Sequence, residues 1–162
     1  MNLFKVFLCS VSLVLLSACS SSGPMKSIHG PVNTSLFETI LNEQIISEEE
    51  VLILARKGET PGRIMGVSGG AVILTDKRFI FAEWKVDGFR YFVKDSYEYN
   101  EIDFVNKAEG LLQLMLSTPA MAGLSFVLKI GEKEFQYSSE SVELVIKEIN
   151  KRLVPSESKR AL

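Results

Sequence analysis

A chain of 162 residues with 18 basic and 20 acidic side chains, a net charge of −2, suits one domain with a modest core better than two. Neither sign of charge forms a block of five or more, and the absence of a basic stripe argues against a nucleic-acid binder. Two cysteines, Cys9 and Cys19, are too few for a disulfide scaffold or a cysteine-built metal site.

In chain order, the first element is an apolar run, Val6 to Leu15, behind the single positive charge of Lys5. Ten helical residues at about 1.5 Å each reach about 15 Å, half of a hydrocarbon core of about 30 Å, so the run reads as the h-region of an export leader and not as a spanning helix. It closes on Leu16-Ser17-Ala18-Cys19, which resembles the lipobox of bacterial lipoproteins. The resemblance implies cleavage before Cys19, a diacylglycerol on its sulfur and an acyl chain on its new amine, with no other cofactor. Leu16 argues against the general leader peptidase, which wants a small residue at the third position before the cut. Cys9 would leave with the leader, residues 1–18, and Cys19 would be committed to lipid, so no thiol would remain for catalysis or metal. One acyl chain holds a protein to a bilayer only marginally, whereas two or more hold it firmly. Ser20 follows the cysteine where lipoproteins kept in the inner membrane often carry Asp. The likeness therefore implies the periplasmic face of the outer membrane if the source is Gram-negative.

Residues 19–34, rich in Gly, Pro and Ser, are expected to form a flexible tether of roughly 20 Å root-mean-square span. His29, the only histidine, lies within it and is read as a solvated linker residue. Ser35-Leu36-Phe37-Glu38 fits a capping box and opens a short amphipathic helix over 35–46. Val51–Ala55 reads as a buried strand, and Gly58 to Gly69 as a loop. Ala71–Leu74 and Phe79–Ala82 flank Thr75-Asp76-Lys77-Arg78 as a hairpin. Asp87-Gly88 marks a further turn before the alternation of Phe89, Tyr91 and Val93, and a further strand is expected from Tyr97 to Ile102. Leu124–Ile130 and Glu134–Tyr137 form another hairpin around Gly131-Glu132-Lys133. The last element is an amphipathic helix over 140–153, with Val142, Val145, Ile146, Ile149 and Leu153 on one stripe, Ser138 or Ser139 as cap and Pro155 as stop. Residues 154–162 form a frayed tail.

The string Gly70-Ala71-Val72-Ile73-Leu74-Thr75-Asp76-Lys77-Arg78-Phe79-Ile80-Phe81, the later Tyr97-Glu98-Tyr99-Asn100-Glu101-Ile102, then a hairpin and a terminal helix, resemble the bacterial pleckstrin-homology-like domains of the YokE type. The likeness covers about residues 36 to 153, within a domain placed at 35–153. It implies a mainly β (α+β) fold, a bent antiparallel sheet or partly open barrel of about seven strands. One open end is plugged by the C-terminal helix, with a short N-terminal helix before it.

Between Gly110 and Leu128 the chain carries no charge. Gln113, Ser117, Thr118, Pro119 and Gly123 argue against a spanning helix there, and two strands with an apolar loop are expected instead. If exposed, Leu111, Leu112, Met115 and Met121 would form a patch suited to an envelope protein partner or to lipid. No catalytic triad, zinc cluster or phosphate loop is present in the sequence, so neither a catalytic residue nor a metal ligand is assigned. Gly66-Val67-Ser68-Gly69-Gly70 is read as a plain turn, and the acidic groups at Glu48–Glu50, Glu98, Glu101 and Asp103 as solvated faces. The expected function is a lipid-anchored, non-catalytic binding or scaffold domain engaging an envelope protein. The alternative is a lipid-headgroup reader acting through Arg56, Lys57, Arg63, Lys77 and Arg78.

Overall fold

The computed structural model describes residues 22–33, 45–61, 67–108 and 125–153. Among them eight strands form one antiparallel open sheet, followed by a single C-terminal helix. The strands are β1 (Ile28–Asn33), β2 (Val51–Pro61), β3 (Val67–Thr75), β4 (Arg78–Lys85), β5 (Arg90–Glu98), β6 (Phe104–Lys107), β7 (Ser125–Ile130) and β8 (Lys133–Ser139); the helix is α1 (Val142–Asn150). The order is β5-β4-β3-β2-β8-β7-β6, with β1 pairing β2 off this path. No helix among the described residues is long and apolar enough to cross a membrane.

Alternation along β3 and β4 builds two cores, one on each face of the sheet. Val72, Leu74, Phe79 and Phe81 join Leu54, Phe126, Leu128, Tyr137 and the helix residues Val142, Val145 and Ile149 on the helix side. Ala71, Ile73, Ile80 and Ala82 join Leu52, Ala55 and Tyr91 on the outer side, packed beneath Met25, Ile28, Ile45 and Ile46. Both faces being buried explains why the sequence shows uninterrupted apolar runs here and no polar alternation. Phe79 is the centre of the first core, with ring centroids of Tyr137 at 4.9 Å, Phe126 at 6.2 Å and Tyr97 at 6.4 Å. The pairing of both predicted hairpins and the terminal helix agree with the sequence.

Four expectations change. The tether placed at 19–34 contains β1, whose Ile28 and Asn33 pair with Ala55 and Val51, and this strand takes the sheet from about seven members to eight. Its register shifts between His29 and Val32, so the helix-breaking Gly30-Pro31 pair marks a bulge on a short strand. The loop placed at Gly58–Gly69 shrinks, because β2 runs to Pro61 and β3 starts at Val67. Gly58 and Gly70 are not turn residues: a Cβ on the first would collide with the Ser138 carbonyl and on the second with the Ala82 carbonyl. These glycines record close strand approach. Finally, Ser138 and Ser139 belong to β8, and Ser141 holds the N-cap position of α1 without a side-chain cap bond. The strand placed at Tyr97–Ile102 also ends earlier, at Glu98, where Tyr99–Glu101 turn towards β6.

The leader, Cys19, Arg63, the tail and the apolar group Leu111, Leu112, Met115 and Met121 lie outside the described residues, as does the helix placed at 35–46 except for its last two positions.

Candidate functional site

Past the core, the helix-side face of β4 turns polar. The alternation that buries Phe79 and Phe81 continues to Glu83 and Lys85, and the register pairs Glu83 with Phe92 and Lys85 with Arg90. A register shift opposite Phe81 and Ala82 leaves Lys94 as the extra residue of a β-bulge, which re-aims its side chain. With Ser68, Asp87 and Gly88 these residues line a cleft of about 850 Å³.

Three cations therefore meet two carboxylates. Lys85 Nζ donates to Glu83 Oε1 at 2.6 Å. Burial raises the Glu83 pKa, but hydrogen bonds from Lys85 and Ser68 and the charges of Lys85 and Lys94 outweigh it, and the net shift is downward. Glu83 stays ionised and occupies Lys85. Lys94 Nζ donates to the Pro61 carbonyl at 3.2 Å. The Arg90 guanidinium lies 4.3 Å from the centre of the Phe92 ring, and no carboxylate among the described residues pairs with it. A planar guanidinium stacked on an aromatic face presents its N–H fork in a fixed orientation, which suits a phosphate or carboxylate oxygen pair. No group of three or more His, Cys, Asp or Glu side chains suited to a metal ion occurs among the described residues.

The cations named from sequence do not converge. Arg78 is spent on Glu50: Nε donates to Oε1 at 2.8 Å and Nη2 to Oε2 at 2.9 Å, while Nη1 reaches Ser96 Oγ at 2.9 Å. Desolvation raises the Glu50 pKa, but hydrogen bonds from Arg78, the Ser47 N–H and Thr75 together bring it down to about 2. This pair replaces the expected solvated face at Glu50 and removes Arg78 from any headgroup role. Lys77 sits 3.7 Å from Glu49 across an exposed pair. Arg56 Nη1 donates to the carbonyls of Ile28 and Ala55, holding β1 to β2. Lys57 is exposed on β2. Glu101 and Asp103 cap turns, accepting from the backbone N–H groups of Glu98 and Gly131. His29 is exposed on β1.

Lys85, Arg90 and Lys94 were not singled out in the sequence. A signal was present: two cations flank the Asp87-Gly88 turn, with Phe89 and Phe92 between and beyond them.

No protein-family model matches the chain, and no curated protein matches it. Among solved structures it is similar to the C-terminal domain of an unknown protein from Leishmania infantum, at 12% identity over 73% of this chain and 94% of that one, with a TM-score of 0.50. It is similar also to a DUF1696 family protein with a pleckstrin-homology domain from Shewanella loihica PV-4, at 20% identity over 77% of this chain and 97% of that one, TM-score 0.46. A third is the Slm1 pleckstrin-homology domain in complex with phosphoserine, at 12% identity over 61% of this chain and 91% of that one, TM-score 0.41. At these identities the likeness is one of fold, and the mostly β antiparallel sheet followed by one helix agrees with the architecture expected from sequence.

Proposed function

We propose that this chain is a lipid-anchored protein of the bacterial cell envelope whose pleckstrin-homology-like domain is a non-catalytic binding module for an anionic group. The anchor reading rests on Leu16-Ser17-Ala18-Cys19. The binding reading rests on the cleft between β3, β4 and β5, where Arg90 is stacked on Phe92 with no carboxylate partner among the described residues, and Lys94, whose charge also acts on Glu83, donates to a backbone carbonyl. An envelope protein displaying an acidic segment and a phospholipid headgroup share the chemistry the cleft would recognise.

Mass spectrometry of the mature protein tests the anchor: acylated Cys19 is expected, and an unmodified N-terminus at that residue overturns it. Calorimetric titration of the purified lipoprotein with glycerol 3-phosphate tests the cleft. Saturable binding is expected, weakened about tenfold by Arg90→Ala, the loss of one charge-assisted hydrogen bond. Heat changes that do not saturate, or that are unaltered in Arg90→Ala, overturn the cleft.

A further inference from the structure

The outer core carries the clue to how the domain sits on its membrane. Tyr91 Oη donates to the Ser22 carbonyl at 2.8 Å and accepts from the Met25 N–H at 2.9 Å. Gly23, at φ 78, fits under the Tyr91 hydroxyl and the Trp84 ring, where a Cβ would collide with both. Trp84 and Tyr91 pair across β4 and β5, with only the Lys85–Arg90 pair between them and the turn over Val86, Asp87, Gly88 and Phe89. The N-terminal segment is thus fastened beside the β4–β5 tip. Three residues lead back from Ser22 to Cys19, a reach of at most about 10 Å. The tip projects a comparable distance past Tyr91 at about 3.3 Å per residue.

That tip is the most apolar exposed point of the described surface. Phe89 is 78% exposed and Val86 57%. Phe89 also sits at φ 47, a backbone region that favours glycine and is rarely taken by a bulky side chain. Arg90 flanks the turn on β5 opposite Lys85, which is paired with Glu83, and Asp87 sits in the turn itself. An aromatic and an aliphatic side chain at a hairpin tip, bordered by the Arg90 cation, match a bilayer interface, with the apolar pair below the headgroups and the guanidinium among anionic phosphates.

We propose that the β4–β5 tip is a second membrane contact: Val86 and Phe89 enter the interface of the bilayer that holds the Cys19 lipid, and Arg90 contacts anionic headgroups. This rests on the anchor reading. Anchor and tip together fix the orientation of the domain on the surface, where a long flexible tether would leave it free.

The test uses the full chain, processed in its host and reconstituted into phosphatidylcholine–phosphatidylglycerol vesicles. A tryptophan is placed at the tip by Phe89→Trp and, as control, at the β7–β8 turn by Glu132→Trp, with Trp84 of the unmodified chain as background. Brominated acyl chains are expected to quench the Phe89→Trp emission several-fold more than that of Glu132→Trp, and the emission at position 89 is expected to shift to the blue. Equal quenching at both positions, or water-like emission at position 89, overturns the proposal. Intact mass read on the same samples separates the two readings. An acylated protein with an unquenched tip keeps the anchor and discards the contact; a quenched tip on an unacylated protein keeps the contact and discards the anchor.

Discussion

On the helix side of β2–β5, Phe79 and Phe81 are covered by α1 and by β6 to β8, elements the domain makes from its own second half. On the outer side, Ile73, Ile80 and Ala82 are covered by Met25, Ile28, Ile45 and Ile46, residues of the segment that leads back to Cys19. The first roof is aromatic, held by ring packing and an amphipathic helix. The second uses small and aliphatic side chains, and polar bonds fix its position: Tyr91 on Ser22 and Met25, Arg56 on Ile28, and Arg78 on the Ile45 carbonyl. The helix side therefore carries most of the packing of the fold, and the outer side fastens the N-terminal segment to the sheet.

The strongest way to break this contrast is at the centre of the helix-side core. Phe79→Ala removes a fully buried ring with three aromatic neighbours and should cost about 4 kcal/mol, seen as a large drop in the denaturant midpoint. A loss under about 1 kcal/mol would show that the face is not the main core.

Next comes the ion pair that ties the outer roof to the sheet. Arg78→Ala leaves Glu50 as a buried carboxylate with only Ser47 and Thr75 to satisfy it, at a cost of about 3 kcal/mol. The pH dependence has a definite sign. Because the Glu50 pKa is about 2 in the fold and 4.5 ordinarily, the unfolded chain takes up the proton first. The contribution is complete above about pH 4.5 and is lost as pH falls towards about 2. Unfolding of Arg78→Ala followed across that window should show a flatter slope than the native chain.

Most of the helix-side architecture was legible because its determinants are periodic. Val142, Val145 and Ile149 repeat at helical spacing, and the runs around Val72 and Phe79 flank the polar Thr75-Asp76-Lys77-Arg78, of which the structure leaves only Asp76 and Lys77 between the strands. The outer roof was not legible, because Ser22 to Asn33 has no hydrophobic period and its Gly30-Pro31 pair has the composition of a linker. What docks it is one phenol sixty-six residues away, together with a bulged strand pairing, and neither leaves a local trace. Of the cleft, the basic residues were visible but not their convergence. Arg78 and Lys94 look alike in the sequence, and only the Glu50 contact and the bulge assign them opposite fates. The anchor motif and the apolar group at 111–121 are readings of the sequence alone.

Tyr91→Phe sharpens the contrast at smaller cost. It keeps the ring against Trp84 and removes only the hydroxyl that holds Ser22 and Met25, so global stability should fall by about 1 kcal/mol. Hydrogen exchange should speed up at Met25 while Val145 and Ile149, on the helix side, keep their protection. Equal acceleration in both places would mean that the two roofs open as one unit.

The smallest effect has the opposite sign. At φ 47 Phe89 occupies a position where a side chain costs roughly 1 kcal/mol that glycine does not incur. Its ring is exposed and supports no core, so Phe89→Gly loses little packing. Part of the relief is offset by the greater freedom of glycine in the unfolded chain. The net expectation is a melting temperature equal to the native value or a few degrees above it, since about 1 kcal/mol moves a domain of this size by roughly 4 °C. A clear loss of stability would place Phe89 among the packing residues and return the tip to the fold. An unchanged or raised melting point would leave a strained, exposed aromatic that the domain does not need for folding, which is the pattern expected of a residue retained for contact with something outside the chain.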